Sequence, residues 1–251
     1  MTAVAALTER IVRGALREDL PFAFAVPAGQ FVIFNFALQN VIDTGASSYS
    51  QYILPVIIIQ FTLLAALISV DQAARDQQSG FGVRLRTLPI PFVAPLIARM
   101  LYSILRGALA LAAAIAVGYL FGFRLTGGFL YGAAFAALVL AFTLAISLGA
   151  DATGSRMAGS AISRNGTTSQ LLLVPQMLLI MMSTGLAPAE AFPGWVQPFV
   201  RYQPVSQLTE TLRAFASGHV AFSNLMTSMA WCLGLLAVFG TIAVRMQRRT
   251  E

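Results

Sequence analysis

The sequence predicts an all-α membrane protein with one transmembrane domain spanning residues 1–251. Of its 251 residues, 57% are hydrophobic and only 10% are charged, and the mean hydropathy is +0.76. An ordinary soluble domain has about 25% charged residues, so a soluble globule of this size could not cover its surface with the charges available. Charge-free runs of about 20 residues, the length that crosses a bilayer, recur along the chain.

These runs predict six transmembrane helices. Five of them are long enough by themselves: Leu20–Ile42, Thr44–Val70, Leu125–Ala150, Asn165–Ala189 and Val220–Val244. The remaining run, Gly107–Phe123, becomes long enough only if its helix extends backward through Met100–Leu105 and accommodates Arg106. The apolar run 87–98 is too short to cross and contains three prolines, which disfavour a straight helix.

The distribution of arginine predicts the orientation in the membrane. With the N-terminus inside, segments 1–19, 71–106, 151–164 and 245–251 hold thirteen of the 16 basic residues, all of them arginine. Only Arg124, Arg201 and Arg213 fall outside. Because cytoplasmic loops carry an excess of positive charge, both termini are expected in the cytoplasm.

The composition also excludes several kinds of active site. The chain has no lysine, so it lacks the P-loop lysine that contacts nucleotide phosphates and any Schiff-base nucleophile. One histidine and one cysteine cannot form a His/Cys metal cluster. The arginines are scattered rather than clustered, which argues against nucleic-acid binding. We therefore expect no catalytic residue, metal or cofactor on this chain, and an energy source on another subunit.

The first segment, residues 1–19, has the pattern of an amphipathic helix. Its apolar residues fall on one arc at helical spacing: Val4, Leu7, Ile11, Val12 and Ala15. Glu9, Arg10, Arg13 and Arg17 fall on the other arc. Such a helix is expected to lie in the membrane surface with its arginines near anionic headgroups. A solvated leader helix is the alternative interpretation.

Uncharged polar side chains inside the predicted spans have two interpretations. They can join neighbouring helices by hydrogen bonds, or they can contact a transported molecule. Together with nearby aromatic and methionine side chains, they form a candidate substrate path of Phe31, Asn35, Gln39, Phe61, Gln176, Met182 and Ser183. Methionine adapts to ligands of varied shape, although packing between helices is the favoured interpretation for any single one of these residues.

Two segments between the spans are distinctive. In the loop 71–98, the second helix is expected to continue to Gln78, to break at Gly80 and Gly82, and to be followed by a short surface helix over Val83–Leu88. Apolar side chains in this loop need a partner to cover them.

After the fifth span, Leu186–His219 contains four prolines with interleaved aromatic residues, which predicts short helices partly inserted in the outer leaflet. An ordinary surface loop is the alternative there.

Motifs in these two segments resemble a known transporter family. The first motif comprises Asp76, Ser79-Gly80, Leu85 and Pro89. The second comprises Leu186-Ala-Pro188, Phe192-Pro-Gly-Trp195, Pro198-Phe199, Gln203-Pro204-Val205 and Leu212-Arg213-Ala-Phe. Their order and positions resemble the ABC-2-type transporter permeases, and most closely the daunorubicin-resistance branch, the DrrB/DrrC-like permeases of actinobacteria.

The resemblance implies a type V ABC exporter-like fold and an assembly of several chains. Two permeases, identical or related, would assemble with two copies of a separate ATPase subunit that holds ATP and magnesium. The coupling helix that contacts the ATPase would comprise Asp76, Gly80, Phe81, Arg84, Leu85, Arg86, Leu88 and Pro89. Arg10, Arg13 and Arg17 would belong to a connecting helix. Re-entrant helices would form an outer gate containing Pro193, Trp195, Pro204 and Arg213.

The function implied by this resemblance is export of a hydrophobic or amphiphilic drug or lipid across the bacterial cytoplasmic membrane. A polysaccharide-exporting permease of the same superfamily is one alternative, and it would require a channel lined by Trp and Tyr. An integral membrane lipid-modifying enzyme would require clustered His, Asp or Glu at one interface. A subunit that only assembles partners is the third alternative. An adjacent gene that encodes an ATPase would favour the exporter.

Overall fold

The computed structural model describes residues 3–16, 19–38, 49–79, 91, 93–158 and 168–249, and no β-strand occurs among them. The predicted all-α fold is confirmed. Nine α-helices lie in the described ranges: α1 (Ala3–Ala15), α2 (Asp19–Leu38), α3 (Tyr49–Gln78), α4 (Ala94–Leu120), α5 (Gly128–Met157), α6 (Thr168–Met181), α7 (Gln197–Tyr202), α8 (Pro204–Ser217) and α9 (Phe222–Arg249).

Five of the described helices are long and apolar enough to cross a membrane. They cover Asp19–Ala37, Tyr49–Gln78, Ala94–Leu120, Gly128–Met157 and Phe222–Met246. The fifth predicted span, Asn165–Ala189, has the wrong C-terminal boundary, because its helix α6 ends at Met181. The chain then turns, and the Ser183 amide donates a hydrogen bond to the Ile180 carbonyl at 3.2 Å. Gly185 and Pro188 follow, and neither residue favours continuation of a helix.

The third predicted span extends backward through Arg106, as the sequence indicates it must. Helix α4 begins at Ala94, with Pro95 in its first turn, and is continuous to Leu120. Proline is tolerated in this first turn because the backbone amide there has no partner within the helix. The second span also continues past Val70 to Gln78, as predicted.

Helix α3 lies at the centre of the bundle. All of its residues from Ile53 to Ile59 are buried, which includes Pro55. Helices α2, α4, α5, α6 and α8 all pack against it. A continuous apolar run is the pattern expected of a helix surrounded on every side, whereas helices at the edge of the bundle have one exposed face.

Helix α6 runs antiparallel to α3. Near its beginning, the Ser169 amide donates to the Asp71 carboxylate at 3.2 Å. Beyond its end, the Thr184 carbonyl accepts a hydrogen bond from the Tyr52 hydroxyl at 3.1 Å. These contacts lie at opposite ends of α3. We call the end that contains Asp71 the basal end and the end that contains Tyr52 the distal end.

Helix α1 packs along the basal part of α4. Its apolar residues Leu7 and Ile11 are partly buried, whereas Arg10 and Arg13 are exposed. The predicted amphipathic helix is therefore present, and its position in the membrane surface stays a prediction. Arg17 lies outside the described residues.

Short helices occur at the distal end, as the proline pattern of residues 186–219 predicts. A 3-10 turn at Ala189–Ala191 precedes α7 and α8. The apolar face of α8 enters the main core, where Leu208 and Leu212 are completely buried. This degree of burial exceeds that of an ordinary surface loop. How deeply these helices insert in the outer leaflet stays a prediction.

Replacement of Gly154 with alanine is expected to destabilise the contact between α5 and α3. A Cβ atom at this position would lie 2.2 Å from the Val70 carbonyl oxygen, a backbone atom that moves only with its helix. Gly234→Ala is the matched control, since no atom lies within 4 Å of its Cβ position. The control should have an unchanged or higher thermal unfolding midpoint, because alanine favours helix more than glycine does. Equal midpoints for the two variants would contradict the close approach of α5 to α3.

Candidate functional site

Three charged side chains, of which Asp151 is buried and Asp76 is 42% exposed, join three helices at the basal end. The Arg99 guanidinium on α4 donates to both carboxylate oxygens of Asp151 on α5, at 2.5 and 3.2 Å. Its Nη1 lies 3.5 Å from the carboxylate of Asp76 on α3. The Asp151 side chain is only 4% exposed and that of Arg99 14% exposed. Each charge therefore depends on the others, because an unpaired ion in such a setting is costly. We call Arg99, Asp151 and Asp76 the basal charge cluster.

Helix α1 contacts this basal charge cluster. A cleft of about 190 Å³ lies between α1 and the adjoining ends of α3 and α4. Its lining includes Leu7 and Arg10 of α1 together with Asp76 and Arg99. A movement of α1 would therefore alter the positions of the charged side chains that join α3, α4 and α5.

A second buried ion pair joins α4 to α2. The Arg106 Nε and Nη2 atoms donate to the two carboxylate oxygens of Asp19 at 2.8 and 3.0 Å. The Tyr102 hydroxyl donates to the same carboxylate. These bonds explain how α4 carries an arginine within an apolar helix: its charge is neutralised by a bidentate partner.

An apolar cavity adjoins this ion pair. Its volume is about 330 Å³, and α2, α3, α4 and α5 all contribute to its wall. Asp19 and Arg106 contribute charged groups to the lining, and the uncharged lining residues are Phe22, Ala23, Val26, Pro27, Ile58, Phe61, Thr62, Leu64, Ala65, Ile68, Gly107, Ala110, Leu111, Ala114, Val139 and Thr143. We call this space the lateral cavity. Volumes of about 300–1,000 Å³ are typical of small-molecule sites, and most such sites are apolar with a few polar groups.

The structure distributes the predicted path residues over several environments. Phe61 is the one that lines the lateral cavity. Phe31 is completely buried in the core, and Asn35 is buried on the same helix. Gln39 lies outside the described residues. Elsewhere in the spans, the Gln30 amide donates to the Gln60 side chain at 3.2 Å, which is the helix-joining role of uncharged polar residues.

The other predicted path residues lie on or after α6. Gln176 is buried, and its Nε2 atom has no hydrogen-bond acceptor in the described part of the chain. Met182 packs beside Val196 and Val200 of the distal segment. The Ser183 hydroxyl donates to the Ile180 carbonyl at 2.7 Å within the turn that ends α6. Of the six path residues that the structure describes, only Phe61 lines the lateral cavity, and the roles of all seven in transport stay predictions.

Arg213 of the predicted outer gate anchors the distal helices. It donates to the backbone carbonyls of Tyr52, Thr184 and Gly185 at 3.0, 3.1 and 2.8 Å. Its guanidinium also lies 3.6 Å from the centroid of the Tyr52 ring, a cation–π contact. Burial lowers the pKa of Arg213, although the Tyr52 contact opposes this effect. One side chain thus joins α8, the start of α3 and the turn after α6.

The other predicted gate residues are placed differently. Trp195 is 86% exposed and Pro193 is also exposed, so both are available to lipid or to another chain. Pro204 occupies the first turn of α8. A separate cleft of about 460 Å³ lies at the distal end, and its lining includes Glu190, Arg201 and Arg213.

Most of the predicted coupling helix lies outside the described residues. This applies to Gly80, Phe81, Arg84, Leu85, Arg86, Leu88 and Pro89. Asp76 is the described member, and it belongs to the basal charge cluster rather than to an exposed loop. Asp76 itself contacts Arg99 of α4, and the coupling role of the predicted helix stays a prediction.

The sequence did not identify Asp19, Arg99, Arg106 and Asp151 as functional residues. Each lies near the end of an apolar run, where charged residues normally mark the membrane boundary. The sequence does indicate that oppositely charged residues lie near the ends of different apolar runs, which makes pairing between helices possible. Spacing along the chain could not indicate which charges meet, because the partners are separated by 52 and 87 residues.

Comparison with known proteins identifies the family. The sequence model described as ABC-2 family transporter protein matches residues 27–245, which is most of the chain. The chain belongs to the ABC-2 transporter family. The predicted family membership is therefore confirmed.

Curated relatives of this ABC-2 protein are named as drug-resistance permeases. The doxorubicin resistance ABC transporter permease protein DrrB of Mycobacterium tuberculosis is 33% identical over 231 residues, which cover 88% of this chain and 76% of the relative. The probable doxorubicin resistance permease DrrC of the same organism is 26% identical over 219 residues, covering 86% and 76%. The daunorubicin resistance permease DrrB1 of Streptomyces coeruleorubidus is 30% identical over 218 residues, covering 86% and 75%. These relatives confirm the prediction of a transport subunit rather than an enzyme.

Asp151→Asn should destabilise the protein strongly. The substitution leaves Arg99 buried with only the more distant Asp76 carboxylate, and loss of one partner from a buried pair costs about 3–5 kcal/mol. The matched control is Glu9→Gln, which removes the partner of Arg13 in an exposed pair on α1. Such surface pairs contribute about 0–1 kcal/mol. Thermal unfolding in detergent should separate the two variants, and similar midpoints would argue against a structural role for the basal charge cluster.

Arg213→Gln should loosen the distal helices without affecting the basal end. The variant loses the cation–π contact, and a glutamine cannot satisfy three separate carbonyl groups. Arg201→Gln is the control, because Arg201 forms an exposed pair with Glu190. Limited proteolysis followed by mass spectrometry should detect faster cleavage within 186–218 in Arg213→Gln only. Unchanged cleavage would show that the anchor is dispensable.

Proposed function

We propose that this chain is the membrane-spanning permease subunit of an ATP-driven exporter that moves a hydrophobic or amphiphilic drug or lipid out across the bacterial cytoplasmic membrane. The observation that carries this proposal is the lateral cavity, an apolar space between four helices with an ion pair in its lining. A site with this composition suits a molecule that has an apolar body and a polar group. The names of the relatives, which refer to doxorubicin and daunorubicin resistance, support such a cargo.

The proposed subunit crosses the membrane six times, with α6 as the additional crossing. Its support is the antiparallel path of α6 along α3, from Asp71 to the level of Tyr52. These two residues are nineteen positions apart on α3, which corresponds to about 28 Å at 1.5 Å per residue. The hydrocarbon core is about 30 Å thick, so a segment that connects both levels would cross most of it.

In the proposed orientation the basal end faces the cytoplasm. Both termini would then face the cytoplasm, together with the segments that contain thirteen of the 16 arginines in the sequence. This bias follows the positive-inside rule. The basal end would then contact two copies of a separate ATPase subunit, which bind ATP and magnesium. A second permease, identical or related, would complete the membrane part.

The proposed transmission route starts at the coupling segment and α1. ATP hydrolysis can drive transport only if it favours one arrangement of the helices over another. The cleft between α1, Asp76 and Arg99 supports this route, because residues of α1 and of the basal charge cluster line it together. Motion of the ATPase would reach α3, α4 and α5 through these contacts.

The composition of the lateral cavity favours a drug or lipid over a polysaccharide. Its aromatic lining residues are Phe22 and Phe61, and the rest of its apolar wall is aliphatic. Sugars are bound by stacking on aromatic rings together with many hydrogen bonds, and this wall offers little of either. A polysaccharide exporter therefore has weaker support.

Phe81→Ala and Arg84→Glu are expected to uncouple hydrolysis from transport. Each variant should insert in the membrane and lose drug-stimulated ATPase activity, because its contact with the ATPase is weakened. The assay uses the permease co-purified with its ATPase partner, with doxorubicin as the stimulating compound. Arg124→Glu is the control: the same charge reversal in an exposed residue of the distal loop between α4 and α5. Normal stimulated hydrolysis in Arg84→Glu would reject this coupling role, and wild-type protein that fails to associate with any ATPase would reject the proposed function.

A further inference from the structure

The ion pair in the lining of the lateral cavity has spare hydrogen-bond donors and few spare acceptors. The Asp19 carboxylate accepts three bonds, two from Arg106 and one from Tyr102. Arg106 uses two of its N–H groups in these bonds, one on Nε and one on Nη2. A guanidinium has five N–H donors. The charged end of the cavity therefore offers donors to a ligand.

These donors are shielded from water. The Arg106 side chain is only 12% exposed, and that of Asp19 15%. A hydrogen bond from a guanidinium to an oxygen is stronger in such surroundings than in bulk water. The neighbouring wall is apolar, so a ligand that satisfies Arg106 must also fill an apolar space.

The cavity is open to the side of the bundle. Phe22 and Val26 of α2 and Ile68 of α3 line it and are also exposed. Apolar side chains exposed on a membrane helix face lipid or another helix. The opening thus suits a molecule that arrives from within the bilayer. The cavity has room because α4 presents small side chains there, with Ala110 and Ala114 facing inward.

We infer that the lateral cavity binds an amphiphile whose apolar body lies between α2, α3, α4 and α5 and whose oxygen-bearing, hydrogen-bond-accepting head group bonds to Arg106. The inference rests on the proposed function, since it makes this cavity the site where cargo enters from the membrane. The selectivity is for an acceptor oxygen: a carboxylate, phosphate or carbonyl oxygen satisfies Arg106, whereas an ammonium head by itself offers it no acceptor. A resident membrane lipid has the same kind of head group as such a cargo. The export measurements described below distinguish a resident lipid from transported cargo.

The test uses the permease with its ATPase partner in lipid nanodiscs and three photoreactive probes of equal chain length. One probe has a carboxylate head, one an ammonium head and one no polar head. The carboxylate probe should label peptides from 58–68 and 106–114 most strongly. Preferential labelling by the ammonium probe would overturn the inference.

Two substitutions on α4 test the cavity itself. Ala110→Phe should reduce carboxylate-probe labelling by about tenfold or more, because the new ring occupies the binding space. Ala112→Phe adds the same ring to an exposed position of the same helix and should leave labelling unchanged. Equal labelling of the two variants would overturn the inference. In case Ala110→Phe does not fold, Ala110→Cys offers a smaller change: the carboxylate probe should slow its reaction with a maleimide, and should not slow that of Ala112→Cys.

The role of Arg106 is tested in a charge-neutral background. The double variant Asp19→Asn with Arg106→Gln leaves no unpaired buried charge. It should bind the carboxylate probe about ten- to a hundredfold more weakly, which is the value of a bond to a charged group. Binding of the headless probe should be retained. An equal loss for both probes would contradict direct contact between the head group and Arg106.

Export measurements separate cargo from resident lipid. In inside-out vesicles that contain wild-type complex, ATP should drive uptake of both doxorubicin and the carboxylate probe, and Ala110→Phe should reduce both. Uptake of doxorubicin without uptake of the bound probe identifies a resident lipid and overturns the inference. Normal uptake in Ala110→Phe also overturns it, while the proposed function stands. Absence of ATP-driven uptake in wild-type vesicles, with cavity labelling intact, rejects the proposed function instead.

Discussion

The packing of this bundle depends on the pairing of two buried arginines of α4 with aspartates of other helices. Arg99 holds α5 and α3 through Asp151 and Asp76, and Arg106 holds α2 through Asp19. An arginine at this depth is tolerated only when its charge is neutralised and its donors are used. The two pairs therefore determine both the rotation of α4 and its depth relative to three neighbours. Hydrophobic packing among the spans has no comparable directionality, because lipid is as apolar as the side chains it would replace.

The same helix that is held by these pairs also creates the lateral cavity. Above Arg106, α4 presents Ala110 and Ala114 toward α2 and α3, so a gap remains where larger residues would close it. Further along α4, the space is filled: a Cβ atom at Gly118 would lie 2.8 Å from Leu54 of α3. Helix α4 therefore packs closely against α3 at the level of Gly118 and leaves a gap at the level of Ala110 and Ala114. Arg99 of the basal charge cluster and the cavity residues Ala110 and Ala114 all belong to α4, so this helix joins the two regions.

The distal end has its own anchor. Arg213 bonds to three carbonyl groups on two segments and lies over the Tyr52 ring. Because Tyr52 belongs to α3, the central helix connects the anchor at one end with Asp76 at the other. A rigid helix of this length provides a mechanical path between the two ends.

The sequence by itself determined the class of the protein, its apolar spans, the amphipathic first helix, the short helices after the fifth span and the family. These properties follow from composition, periodicity and local motifs, which depend on neighbours along the chain. It also indicated that α4 must extend through Arg106, since a membrane helix has a minimum length. Tertiary structure decided that α6 ends at Met181, that Arg99 and Arg106 pair with particular aspartates, and that Phe61, but neither Phe31 nor Gln176, lines the lateral cavity. Those outcomes depend on helix rotation and on contacts between residues far apart in the chain, for which the spacing of residues along a single sequence has no signal.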